Sequence, residues 1–534
     1  MKNKQVYWFS VLMLVAVLLA GCIAAPTGGG APTTNEANVE QTFIVASTRD
    51  VGELNPHNYG SSFPALDMVY EPLVRYAADG TLQPGLAESW THSEDGLTWS
   101  FKLRQGVTFH DGTPFNAAAA KWNLERWVGN EDHNWLPTTN LIDSIETPDE
   151  YTLVLHTKEF YYALVQELAL VRPVRFLSPN GVDATGAFVK AIGTGPWQLQ
   201  EYVKDQRAVF VPYPNYWGTK PKLDKVVFDV IPDPQTRVAA LLSGEVHLIG
   251  GENLGSIPLE SVLALRNNAD VALLTGEGST SFVMHMNYQR APFNDPKVRA
   301  AINHAINREG IAKQVFSGLA SPATGLFPAT IPYAGSPLPE TYTFDLEKAK
   351  SLLAEAGWTP GSDGLVSKDG KPLQVRLVAD SEAFPQVKSM AEVVQANLQA
   401  IGIGVEIRLF EYEAWRAAIA ADEFELDILL TWGAPYDPHS SLTAFFKTGY
   451  TTSAGQMFNS PELDKILTAI SSEKDDTARQ AAYDAFWRNL DENAAVAPLV
   501  YSQRIYALRK NVSGFELAGT EYELALQNVT ISAP

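Results

Sequence analysis

The chain has a single cysteine, Cys22, in 534 residues. The folded part can therefore build no internal disulfide and no thiolate metal site, and its stability must come from an apolar core. Basic residues are also scarce. Forty Lys and Arg stand against 61 Asp and Glu, a net charge of −21, which argues against nucleic acid and anionic lipid headgroups as partners. Past the N-terminus no run is long and apolar enough to cross a bilayer. Enzyme signatures are missing as well: there is no Walker-type phosphate loop, no glycine-rich dinucleotide turn, no Gly-x-Ser-x-Gly elbow and no His-Glu-x-x-His helix. The nine histidines show no ligand-like spacing. A binding protein that catalyses nothing and needs no cofactor is the expectation.

At the N-terminus, Lys2 and Lys4 precede an apolar stretch from Val11 to Ala20. That stretch is short for a membrane span, so residues 1–21 read as a signal peptide. Leu19-Ala20-Gly21-Cys22 resembles a bacterial lipobox, which implies cleavage before Cys22 and acylation of that residue. Cleavage would delete two lysines and no acids, leaving −23. Residues 22–40 then form the lipidated cysteine and a Pro-, Gly-, Thr- and Ala-rich tether of roughly 20–25 Å reach. The expected location is extracytoplasmic, on a lipid anchor, in the periplasm or at the outer cell surface.

Length and a 46% hydrophobic content allow more than one lobe. From about 41 to 275 the pattern is mostly short strands and turns. Trp99, Phe101 and Leu103 alternate, as do Tyr151, Leu153 and Leu155, and Asp111-Gly112-Thr113-Pro114 leads to a helical run from Ala117 to Trp127. From about 276 to 500 helices enter. Asp345 caps one with Ala349, Leu352, Leu353 and Ala356 on a stripe and Gly357 as its stop. A second carries Val387, Met390, Val394 and Leu398 and ends at Gly402, followed by alternating Val405, Ile407 and Leu409. Residues 501–534 return to strand text. Two lobes joined by two crossings predict a ligand cleft at a hinge.

Chemistry-bearing residues are aromatics beside isolated basic groups. Trp135 follows His133 in HNW, Arg172 and Arg175 bracket Pro173 in VRPVRF, and Trp432 and Tyr436 share TWGAPYDPH. For Arg175 a structural ion pair is the preferred reading. Arg172 in an aromatic cleft would suit a ligand carboxylate.

From Phe43 to the C-terminus the chain resembles the family 5 extracytoplasmic solute-binding proteins of dipeptide, oligopeptide and nickel ABC importers. The resemblance is carried by LNPH (54–57), VYEPLVRY (69–76), DGLTWSFKLRQGVTFHDGTPF (95–115), GTGPW (193–197), NYWG (215–218) and APFNDPKVRAAINHAINR (291–308). QELALVRPVRF (166–176), VIPDPQTRVAA (230–240) and TWGAPYDPH (431–439) are most similar to its nickel-binding branch. The resemblance implies an α/β, two-lobed fold of the large type II, dipeptide-binding-like class, with an extra β-rich subdomain in the first lobe. It also implies a monomer that docks on a membrane permease, with Arg172 holding a carboxylate and Trp135, Trp432, Tyr436 and Thr520 lining the cleft.

Four positions depart from the nickel pattern: Tyr450 stands where an imidazole touches the metal, Asp132 where a second arginine is expected, Phe63 where a methionine is, and Trp415 where a cleft tyrosine is. Nickel and copper favour imidazole over weak oxygen donors. The expected ligand is thus a small carboxylate-bearing molecule, with a chelated metal such as nickel leading and a di- or oligopeptide as the alternative. His133 and His439 are the imidazoles left to contribute. A ligand sensor uncoupled from transport is the reading from another class.

Overall fold

The computed structural model describes residues 40–77, 80–334, 342–381, 384, 386–432, 438–450 and 455–533. Cys22, Tyr436 and the tether up to residue 39 lie outside the described residues. Among the described residues no helix is long and apolar enough to cross a membrane.

An 11-stranded sheet runs through the chain from Glu40 onward. On one side, Thr42–Ser47 pairs in parallel with Lys225–Val230, which continues antiparallel to Arg207–Pro212 and Trp197–Val203. On the other, Gln374–Asp380 and Gly404–Phe410 pair in parallel through the helix Val387–Gln399, the crossover that a parallel pair requires. Leu426–Leu430 completes that side. The two sides belong to two lobes.

Two long antiparallel strands join them, Val271–Met286 and Val496–Arg509. Their pairing runs from Val271 opposite Arg509 to His285 opposite Val496. A 16-residue strand spans about 50 Å, long enough to enter both lobes. Val271 and Ala507 sit in one core with Val246, Ile249 and Leu265, whereas Phe282, Met284, Ala497 and Leu499 sit in another with Ile302, Leu377 and Val394. Between these ends the register shifts from Glu277 to Ser281 and again from Phe282 to Val283. The crossings expected near 275 and 500 are thus continuous strands. Gly276 and Gly278 lie inside the first, at the place where its ladder is irregular.

A separate four-stranded sheet, ordered Ala87–His92, Thr98–Leu103, Thr152–Thr157, Ile142–Asp149, forms the extra β-rich part of the first lobe. Trp99, Phe101 and Leu103 face its core, as their alternation requires. The helix Ala117–Trp127 starts where the Asn116 side chain accepts from the Ala119 amide at 3.1 Å. In the second lobe Asp345 caps Leu346–Glu355 through the amides of Glu347 and Lys348, and Gly357 follows in the left-handed conformation at φ 87°.

The short helix Phe63–Val69 matters for the site because it carries Phe63. Its last carbonyls lie against the GTGP segment: the Gly195 amide donates to the Val69 carbonyl at 2.9 Å. A Cβ on Gly193 would fall 1.9 Å from that same carbonyl oxygen. Backbone cannot yield as a flexible side chain can, so only glycine fits here. We expect Gly193→Ala to lower the unfolding free energy by about 2 kcal/mol or more, read from urea denaturation.

In the second lobe Asp427 is fully buried on the strand Leu426–Leu430, and its Oδ1 accepts from the Trp415 indole at 2.8 Å. Burial, reinforced by the nearby Asp380, pushes its carboxyl up to about 7. The folded value lies above the unfolded one, so the native state holds the proton more tightly. The resulting penalty is absent below about pH 4, grows as pH rises, and is complete above the folded value. Asp427→Asn keeps an acceptor for the indole. It should raise the unfolding free energy at pH 8 by roughly 2–4 kcal/mol while leaving it almost unchanged at pH 4, a difference that urea titrations at the two pH values resolve.

Candidate ligand-binding cleft

Between the lobes lies a cavity of about 670 Å³, within the range of small-molecule sites. Its first-lobe wall is Tyr59, Phe63, Trp135, Leu170, Val171 and Arg172; Tyr412, Arg416 and Trp432 face it from the second lobe, and Tyr522 closes it from the C-terminal return. The lobes meet at one edge, where the rings of Trp135 and Trp432 stand edge to face with centroids 6.1 Å apart.

Arg172 is the charged group on the first-lobe wall. Its Nη1 donates to the Tyr59 carbonyl at 2.6 Å, and its guanidinium lies 4.1 Å over the Phe63 ring and 5.0 Å from the Tyr59 ring. Among the described residues it has no carboxylate partner. Burial pulls it down to about 10, eased by the Tyr59 and Tyr522 hydroxyls and deepened by Arg49. It therefore stays protonated at neutral pH, a cation on an aromatic floor with donors left to use. Arg175, three residues on, shows the paired alternative: it is 1% exposed and sits 3.1 Å from Asp67.

Tyr59 organises this wall. The Trp135 indole nitrogen can only donate, and it does so to the Tyr59 hydroxyl at 2.6 Å. That hydroxyl in turn meets His133 Nδ1 in a short contact. Burial holds His133 below its ordinary value. One tyrosine thus orients Trp135 through its hydroxyl and Arg172 through its carbonyl.

The residues expected from sequence divide in two. Phe63, Trp135, Arg172 and Trp432 are brought together on the cavity wall. His133 stands behind that wall, 2% exposed. Trp415 does not line it: on the helix Tyr412–Ala420 the buried side is Trp415, Ala418 and Ile419, and the neighbours Tyr412 and Arg416 face the cavity instead. Thr520 is buried, its hydroxyl accepting from the Tyr522 amide at 3.3 Å, and Tyr522 takes the wall position. Tyr450 is half-buried away from the cavity, with the Lys447 ammonium 5.8 Å from its ring. Tyr436 lies outside the described residues. His439 is buried against the rings of Tyr161 and Tyr162, and burial pushes it down to about 3. Asp132 is exposed on a short turn.

Tyr59, Tyr412, Arg416 and Tyr522 were not legible as site residues. Tyr59 follows LNPH and Tyr522 sits in TEYE, segments without periodicity, so nothing local points them inward. Among the described residues no three His, Cys, Asp or Glu side chains are grouped to hold a metal ion.

Known proteins share this arrangement along nearly the whole chain. Residues 81–453 match the model of the bacterial extracellular solute-binding proteins, family 5. The nickel-binding periplasmic protein of Escherichia coli is 36% identical over 489 residues, 90% of this chain and 93% of that one. A glutathione-binding protein of Shigella dysenteriae is 30% identical over 94% of both chains. In three dimensions the chain is similar to NikA from Brucella suis, solved in complex with Fe(III)-EDTA, with a TM-score of 0.85 and 34% identity over 92% of this chain and 100% of that one. With its two lobes, its inter-lobe cleft and this span of similarity, the chain belongs to the bacterial extracellular solute-binding proteins of family 5.

Proposed function

We propose that this protein is the binding component of an ABC importer and captures a small carboxylate-bearing ligand in the inter-lobe cleft. A chelated metal such as nickel is the leading cargo. The observation that carries this reading is Arg172: a protonated guanidinium on an aromatic wall, with no carboxylate of its own among the described residues. A ligand carboxylate would complete it with charge-assisted hydrogen bonds. The wall otherwise offers rings and apolar groups, which bury a ligand's surface while the guanidinium orients it.

A bare metal ion suits this wall poorly. Of the two imidazoles expected from sequence, His133 is engaged by Tyr59 and His439 is buried outside the cavity wall against Tyr161 and Tyr162. The chelator must then bring the donors, and the protein reads its carboxylates and shape. The similarity to a nickel-binding protein and to one solved with Fe(III)-EDTA supports this cargo. The similarity to a glutathione-binding protein supports the alternative, a short peptide. Both chemistries present carboxylates to the same arginine.

We further propose that Cys22 carries a lipid, that the protein works outside the cytoplasm as a monomer presenting its cargo to a permease, and that it catalyses no reaction. The lipobox-like Leu19-Ala20-Gly21-Cys22 supports the anchor, membership of the solute-binding family supports the location and the permease partner, and the absence of a catalytic signature in the sequence supports a non-catalytic role. The chain from residue 41 forms the first lobe to about 275, the second from 276 to 500, and the return after 501.

The test uses residues 23–534 expressed without lipid, with thermal and urea stability followed against nickel, nickel plus histidine, Fe(III)-EDTA and glutathione. A ligand at 100 times its Kd adds about 2.7 kcal/mol. Stabilisation by the chelates but not by nickel alone is expected for the leading reading, and stabilisation by glutathione alone turns it to the peptide reading. Arg172→Ala should weaken binding by about 1.5–3 kcal/mol, roughly ten- to more than a hundredfold. If no probe stabilises the protein, the carboxylate reading fails. In the full-length chain, Cys22→Ser should move the protein from the membrane to the soluble fraction.

A further inference from the structure

The cavity is charged against the rest of the molecule. The chain carries −21 overall, yet the described wall holds two guanidiniums, Arg172 and Arg416, and no carboxylate. They come from opposite lobes. Arg172 belongs to the first-lobe wall, and Arg416 projects from the helix Tyr412–Ala420 of the second. Trp415 anchors that helix from beneath through its bond to Asp427, which leaves Arg416 to face the cavity.

Arg416 is not bound up in structure. Its ion-pair partner, Glu413, lies one turn away at 3.6 Å, and the two side chains are 45% and 81% exposed. Exposed pairs at this spacing are weak in water and exchange readily for a better acceptor. The ring of Tyr412 lies 5.7 Å from the guanidinium, a loose support that does not consume its donors. Arg172, by contrast, is pre-set by the Tyr59 carbonyl and the Phe63 ring.

We propose that Arg416 is a second carboxylate-holding residue, so that the preferred ligand carries two carboxylates, one for Arg172 on the first lobe and one for Arg416 on the second. This rests on the reading of the cleft as a carboxylate site and specifies its ligand class: polycarboxylate chelates, metal complexes of two amino acids, or peptides with an additional acidic group. The arrangement also couples recognition to closure. A dianion held by guanidiniums from opposite lobes is attracted on both sides, which favours their approach. A ligand with one carboxylate satisfies Arg172 and leaves Arg416 with only its exposed pair to Glu413.

The test is isothermal titration of residues 23–534. Probes with two or more carboxylates are Fe(III)-EDTA, bis(histidine)nickel and glutathione; their poorer counterparts are bis(histamine)nickel and the glycyl ethyl ester of glutathione. Arg416→Ala should weaken every multi-carboxylate probe that binds by at least tenfold while changing the counterparts less than twofold, and Arg416→Lys should recover part of the loss. Arg408→Ala, which removes the same charge from an exposed pair with Glu406 outside the cavity, should change nothing. If multi-carboxylate probes need Arg172 but bind Arg416→Ala as they bind the parent, the second site is wrong and the carboxylate reading stands. If no probe binds, or none depends on Arg172, both fall together.

Discussion

One ladder of backbone hydrogen bonds, between Val271–Met286 and Val496–Arg509, makes two lobes into one molecule. Each strand begins in one hydrophobic core and ends in the other, so neither lobe can leave without breaking the sheet. The irregular register around Gly276 to Val283 is where such a sheet can flex without unpairing its ends. The cleft hangs from this region. Thr431, just before Trp432, exchanges hydrogen bonds with Ser281 on the crossing strand, its amide to the Ser281 carbonyl and its hydroxyl from the Ser281 amide, both at 2.9 Å. Glu521, just before Tyr522, accepts from the Ser279 hydroxyl in a short contact. Two walls of the cavity are therefore tied to a strand that joins the lobes.

On the first lobe a different logic applies. The wall there is built by one residue acting in two directions, with the Tyr59 hydroxyl holding Trp135 and its carbonyl holding Arg172. His133 behind it shares a short hydrogen bond with the phenol and takes no part in the wall itself. This small network leaves the guanidinium held but, among the described residues, without a carboxylate, so it keeps donors for a further acceptor.

Local structure was well encoded. The helix after Asp345, the stop at Gly357, and the strand alternation of Trp99, Phe101 and Leu103 follow from capping and periodicity, which act over a few residues. The expected bounds near 275 and 500 fall inside the two long strands, because a sequence shows where strand text occurs but not that one strand serves two cores. Site residues also divided. Phe63, Trp135, Arg172 and Trp432 were placed through the family resemblance, and the fold brings them to the cavity. Trp415 was displaced by Arg416 because a sequence places a residue on a helix but does not say how that helix is rotated on its sheet. Tyr59 and Tyr522 sit in aperiodic loops, and only the tertiary packing turns them inward.

The edge-to-face pair of Trp135 and Trp432 has an optical corollary. One indole belongs to each lobe, and their separation is set by how far the lobes have come together. Coupling between two chromophores falls steeply with distance, so the near-ultraviolet dichroism and the indole emission of the unlabelled protein both depend on the angle at the hinge. The molecule carries its own gauge of domain position, built from two side chains on the wall of the cleft.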